Sequence, residues 1–187
     1  MTRLSDRLLD LFSLPGRWVG WLVLPLFISV LVTVSAARLG VNTLIDWPGR
    51  IPVLGARLTV NSLVDFQWYV FAVIVLFGGV YALRTDRHVS VDFLHAMAPP
   101  QVQLLLRVIG DLVFLIPFCL IIAYYGYFFA LTAWNTGEGS TQGGLQSRWI
   151  IKACIPLAFG LLALTGILRV IMGLAALFAR RPPDQSR

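Results

Sequence analysis

Long uncharged runs alternate with short charged clusters along this chain. The uncharged stretches cover residues 18–37, 66–83, 112–133 and 153–168, each closed by an arginine, aspartate or lysine at one or both ends. Each is close to the ~20 residues that cross about 30 Å of hydrocarbon as a helix. A backbone in lipid has no water to bond to, so a helix, which satisfies its own N–H and C=O groups, is the expected form. Extended into their flanks, these stretches predict four transmembrane helices over about 18–37, 61–83, 108–133 and 150–169 in one domain, 1–187. Loops are expected at 38–60, 84–103 and 134–149. The predicted fold class is all-α integral membrane, with interfacial amphipathic segments.

Local departures from this pattern refine it. Residues 3–17, "RLSDRLLDLFSLPGR", alternate arginine with leucine and suit an amphipathic segment on the inner membrane surface. Pro25 interrupts the first span and predicts a kink. Trp47, Pro48, Pro52 and Leu54 make the first loop less polar than most, so it is expected to fold back on the outer membrane surface or on a partner. Asp65 and Gln67 fall within two turns of the outer end of the second span, where an ionisable group either faces water or makes a polar contact inside a bundle. Arg107 and Asp111 are one turn apart and can neutralise each other. The stretch "WNTGEGSTQGGLQSRW" predicts a flexible loop between the interfacial tryptophans Trp134 and Trp149. Gly166, Gly173 and Ala176 give the last helix a small face that permits close packing. Cys119 and Cys154 lie at different depths and are expected to be packing residues rather than a disulfide.

Composition narrows the function classes. The chain is 58% hydrophobic and 13% charged, with a mean hydropathy of +0.80, which a water-facing globular surface does not tolerate. Its net charge of +6 sits at the membrane edges, where arginine meets lipid headgroups, so nucleic acid is not an expected partner and membrane lipids are. Nine arginines flank the first span's start, the 84–103 loop and the C-terminus, against five basic residues on the other side. The positive-inside rule therefore predicts both termini, and that loop, in the cytoplasm. "VSAARLG" offers a small-x-small pattern for signal cleavage, but the preceding apolar run is longer than a signal core of about 7–15 residues, so the first span is expected to stay.

The polar stretch "YALRTDRHVSVDFLHAMAPP" holds both histidines. His88, Asp92 and His95 recur at i, i+4 and i+7, which a helix aligns on one face. Such a face could take zinc, but three ligands without a further histidine or cysteine nearby make a thin site. Both histidines also fall outside the spans, which disfavours haem. The expectation is no metal, no cofactor and no enzyme. Arg84, Arg87, His88 and Asp92 are instead assigned to holding the loop at the inner membrane face. The alternative is a haem or quinone anchor subunit of an oxidoreductase using His88 and His95.

The stretch "LTVNSLVDFQWYVFAVIVLFGGVYALRTDRHVSVDFL", with its arginine-containing turn before "HVSVDFL", resembles the second span and signature loop of the small membrane subunit of tripartite ATP-independent periplasmic (TRAP) transporters, the DctQ type. "GEGSTQGGLQSRWIIKACIPLAFGLLAL" is similar to that family's last loop and span. The resemblance implies a bacterial inner-membrane scaffold subunit that pairs with a large membrane subunit carrying the substrate and sodium sites. It further implies a periplasmic binding protein that delivers a substrate, commonly a carboxylate, with uptake driven by an ion gradient. No Walker-type "GKS" or "GKT" is present to oppose this. Glu138, Arg148, Trp149 and Lys152 are then the candidate outer face, with Asp65 and Gln67 beneath them.

Overall fold

The computed structural model describes residues 2–85 and 99–179. Four helical segments are long and apolar enough to span a membrane: Leu9–Arg38, Val60–Leu83, Gln101–Asn135 and Trp149–Phe178. The fold is that of an all-α, four-span membrane protein with one small hairpin. The first segment comprises α1 (Thr2–Val19), a 3-10 turn at Gly20–Leu22 and α2 (Val23–Arg38). Pro25 explains the tightened turn. It has no N–H for the carbonyl four residues back, at Trp21, and its ring crowds that carbonyl. The predicted disturbance is thus upstream of the proline.

Helix α1 does not lie alone on a surface. Leu9, Ser13 and Val19 are buried, and with Gly16 they form a stripe that packs along α3 (Val60–Arg84). A Cβ on Gly16 would stand 2.6 Å from Tyr81 Cβ and strike the Phe77 carbonyl, so the two backbones meet there. Further along, Gln67 of α3 donates to Thr33 Oγ1 at 2.8 Å and Ser29 Oγ at 3.3 Å. These polar contacts hold α2 to α3, in a medium where apolar contact alone gives no preference for helix over lipid.

The loop expected at 38–60 instead carries a hairpin, β1 (Thr43–Ile51) antiparallel to β2 (Gly55–Thr59), closed by a cross-strand bond from Trp47 Nε1 to the Gly55 carbonyl at 2.9 Å. Strand β2 runs straight into α3. Thr59 caps the helix by accepting from the Ser62 N–H at 3.2 Å, and Ser62 Oγ accepts from the Thr59 N–H at 3.2 Å. This reciprocal cap typically contributes about 1 kcal/mol.

The third segment joins α4 (Pro100–Gly110), a π-turn at Asp111–Leu115 and α5 (Ile116–Asn135). The Ile116 N–H donates to the Asp111 carbonyl, five residues back. Pro117 accounts for this, because it cannot donate to Val113 and the wider turn relieves the ring's clash with that carbonyl. The last helix, α6 (Trp149–Ala179), runs antiparallel to α4 and α5 along their whole length. Gly173 lies against Val108, Gly166 against Leu115 and Ile116, and on the α5 side Gly126 against Ile155 and Pro156. Small residues at these positions let the helix axes approach.

Neighbour relations define the architecture. Helices α1 and α2 pack on α3, α3 on α6, and α6 on α4 and α5, with a smaller contact between α1 and α6. The four segments thus form an open row with α3 and α6 in the middle, parallel to each other. In keeping with this, only 11% of the apolar window is buried in each of the first three spans and 28% in the fourth.

Candidate functional site

The polar chemistry gathers at the two ends of the row. At the hairpin end, Asp65 sits one and a half turns into α3 with its side chain 17% exposed. Its Oδ2 accepts from the Leu145 N–H at 3.0 Å, and its Oδ1 lies 3.9 Å from Arg148 Nη2. Of the two readings of Asp65, facing water or making a polar contact within the protein, the structure shows the second. Arg148 in turn donates its backbone N–H to the Glu138 carbonyl at 2.9 Å, and the Glu138 carboxylate pairs with Lys152 Nζ. The Lys152 ammonium also stands 3.9 Å over the Phe129 ring, a cation–π contact that helps hold a charge in low dielectric. Trp149 meets Trp134 edge-on at 4.6 Å between centroids.

Asp65, Glu138, Arg148, Trp149 and Lys152 are therefore brought together. Gln67 is not among them, since it faces α2. Arg84 closes α3, with only its backbone described; Arg87, His88 and Asp92, like His95, lie outside the described residues.

The 134–149 loop, expected to be flexible, is tied at several points. Gln146 N–H donates to the Val53 carbonyl at 2.7 Å, Asn61 Nδ2 to the Gln142 carbonyl at 2.7 Å, and Thr59 Oγ1 to the Gly143 carbonyl at 3.2 Å. Its glycines are where those ties need room. A Cβ on Gly144 would overlap Asp65 Oδ2, and one on Gly139 would overlap the Gln146 amide. Two residues that rarely adopt a left-handed backbone do so at this junction, Val53 at φ 76° and Ser147 at φ 61°. For β-branched Val53 this costs on the order of 1–3 kcal/mol, held by the bond to Gln146 and the hairpin around it.

Hairpin and loop enclose an open groove of about 920 Å³, walled by Asn42, Ile51, Arg57, Asn61, Gln142 and Ser147 among others. Among the described residues Arg57 is the single charged one on its wall, and backbone groups with amide side chains supply much of the rest. Such a surface offers hydrogen bonds to a protein chain.

At the opposite end, Arg169 of α6 pairs with Asp111 at 3.0 Å and donates from Nη1 to the Leu83 carbonyl at 2.7 Å. One guanidinium thus bridges the π-turn of the third segment and the last turn of α3. Sequence spacing pointed to Arg107 as a neighbour of Asp111 and did not reveal Arg169 as a partner of the same carboxylate. The Ser29–Thr33–Gln67 contact was also missed, although two hydroxyl residues one turn apart within an apolar span are a usable signal.

The four-span row and its locked ends describe a multi-pass membrane component whose charge lies near the membrane surfaces. The family model of the tripartite ATP-independent periplasmic transporters, DctQ component, matches residues 53–176, about two thirds of the chain. The chain belongs to this family and is a small subunit of a TRAP transporter. No curated protein matches it significantly. The match begins at the hairpin turn, so α1 and α2 stand outside it.

Proposed function

We propose that this subunit is a brace, pairing with a large membrane subunit that takes up an organic anion, a carboxylate, delivered by a periplasmic binding protein and driven by a sodium gradient. In this reading both termini are cytoplasmic, the hairpin end faces the periplasm of a bacterial inner membrane, and Arg84, Arg87, His88 and Asp92 hold the cytoplasmic loop. The cluster of Asp65, Glu138, Arg148, Trp149 and Lys152 stiffens the face on which the binding protein lands.

The observation that carries the reading is the separation of charge from the membrane middle. Between Asp65 and Arg84, between Asp111 and Glu138, and between Lys152 and Arg169 no charged residue occurs. A substrate or ion site at mid-depth needs polar ligands, so these spans suit bracing rather than coordination. A scaffold has to resist tilting while its partner moves, and interfacial anchors at both ends of each span do that.

Purification from membranes in mild detergent tests the pairing. A large multi-span protein is expected to co-purify, and liposomes containing only this chain are expected to accumulate no solute. Uptake by the lone chain overturns the reading, as does a haem absorption band in the pure protein.

A further inference from the structure

The row has two free edges, formed by α2 on one side and α5 on the other, and they differ in chemistry. Apart from Ser35 and Arg38 in its last turn, the exposed side chains of α2, among them Leu24, Phe27, Ile28 and Leu31, are hydrocarbon, and its Thr33 hydroxyl is bonded to the Ser29 carbonyl. By contrast α5 exposes Tyr124, Tyr125 and Tyr127, at 61%, 68% and 56%. Tyr124 meets Tyr125 and Phe128 edge-on, Tyr127 meets Phe128, and among the described residues no hydrogen bond reaches any of the three hydroxyls.

These phenols lie deep. Tyr124 is ten residues from Trp134 and thirteen from Asp111, so it stands about 15 Å and 20 Å along the helix from the two polar ends. A helical side chain leans toward its helix N-terminus, which for α5 points away from the tryptophan end. The hydroxyls are therefore directed into the membrane middle rather than up to the nearer surface. A hydroxyl in hydrocarbon without an acceptor is costly, and tyrosine at depth ordinarily finds one. Beside this edge, Tyr127, Leu131, Trp134, Trp149, Pro156 and Leu157 outline an almost wholly apolar hollow of about 520 Å³, shaped to take a side chain from a neighbour.

We propose that the α5 edge, through Tyr124, Tyr125 and Tyr127, packs against membrane helices of the large transporter subunit, which supply acceptors to the three phenols, while the α2 edge faces lipid. This rests on the pairing proposed above. Lipid tails offer no acceptor at this depth, whereas a helix of another polypeptide brings serine, threonine, asparagine or freed carbonyl oxygens.

The test uses the complex, with a photo-reactive benzoylphenylalanine placed at Tyr124 or at Phe27. Irradiation is expected to join the large subunit to the chain labelled at Tyr124 and not to the one labelled at Phe27. The reverse pattern, crosslinks from neither position in a complex that does co-purify, or a crosslink between two copies of this chain from Tyr124 would overturn the edge assignment while leaving the pairing intact. Failure of any large subunit to co-purify removes the pairing and this assignment with it. As a second measurement, Tyr124→Phe, Tyr125→Phe and Tyr127→Phe together remove only oxygen atoms. At about threefold per hydroxyl, recovery of the large subunit is expected to fall more than tenfold in a dilution series, with the isolated subunit's melting unchanged. Undiminished recovery counts against the phenol bonds.

Discussion

Arg169 and Asp111, fifty-eight residues apart in sequence, stand 3.0 Å from each other where the last helix crosses the π-turn of the third segment. Their side chains are 17% and 13% exposed, so water screens them little. Removing one member of such a pair takes away part of what compensates the other charge, a loss of up to about 3–5 kcal/mol. Arg169→Leu is therefore expected to lower the melting temperature in detergent markedly. Arg169→Lys keeps the charge but gives up the forked reach to the Leu83 carbonyl, and is expected to fall between. Equal melting of all three proteins would contradict the bridge.

Gly16 tests whether α1 is a packed helix. Gly16→Ala forces a methyl group against Phe77 and Tyr81, an overpacking that typically costs about 1–3 kcal/mol. Gly79→Ala, where nothing lies within 4 Å, is the control and is expected to stabilise by about 1 kcal/mol through helix propensity. Thermal unfolding of the two variants side by side decides it. A helix lying loose on the membrane would not feel the methyl at position 16.

Gly144→Ala is expected to lever the 134–149 loop off Asp65, since the new methyl occupies the space of the carboxylate oxygen. Limited proteolysis is the suitable measurement, with cleavage between Gly137 and Ser147 expected to speed several-fold. Asp65→Asn should have a milder effect, because an amide oxygen still accepts from the Leu145 N–H.

Gln67→Leu removes the bonds to Ser29 and Thr33 while keeping volume. Bonds of this kind between membrane helices average about 0.6 kcal/mol, with a maximum near 1.7. The expected loss of stability is in that range, with a less than additive further loss when Thr33→Val is added, because both changes break the Gln67 contact and the second removes besides only Thr33's bond to the Ser29 carbonyl of its own helix.

Much of this fold was legible because lipid imposes a simple rule: a span needs a long uncharged run, and the runs at 18–37, 66–83, 112–133 and 153–168 stand out without periodicity. Asp65, Glu138, Arg148 and Lys152 were legible for the converse reason, as polar groups bordering those runs. What they contact was not, since the 3.9 Å approach of Arg148 to Asp65 depends on two helices distant in sequence. The hairpin escaped notice because "TLIDWPGRI" carries Pro48 and Gly49 within a strand and its register shifts, which blurs the alternation that marks a strand. Residues 1–17 showed the amphipathic pattern, but a stripe of Leu9, Ser13 and Gly16 serves a headgroup surface or a neighbouring helix equally well.

A plank one rod thick has two broad sides and no bore. With α3 and α6 in the middle and nothing closing the ring from α2 to α5, the described helices leave no lumen for a solute to enter. In the bracing role proposed above the solute travels beside the plank, so swapping this subunit between related transporters should change how firmly they hold together before it changes what they carry.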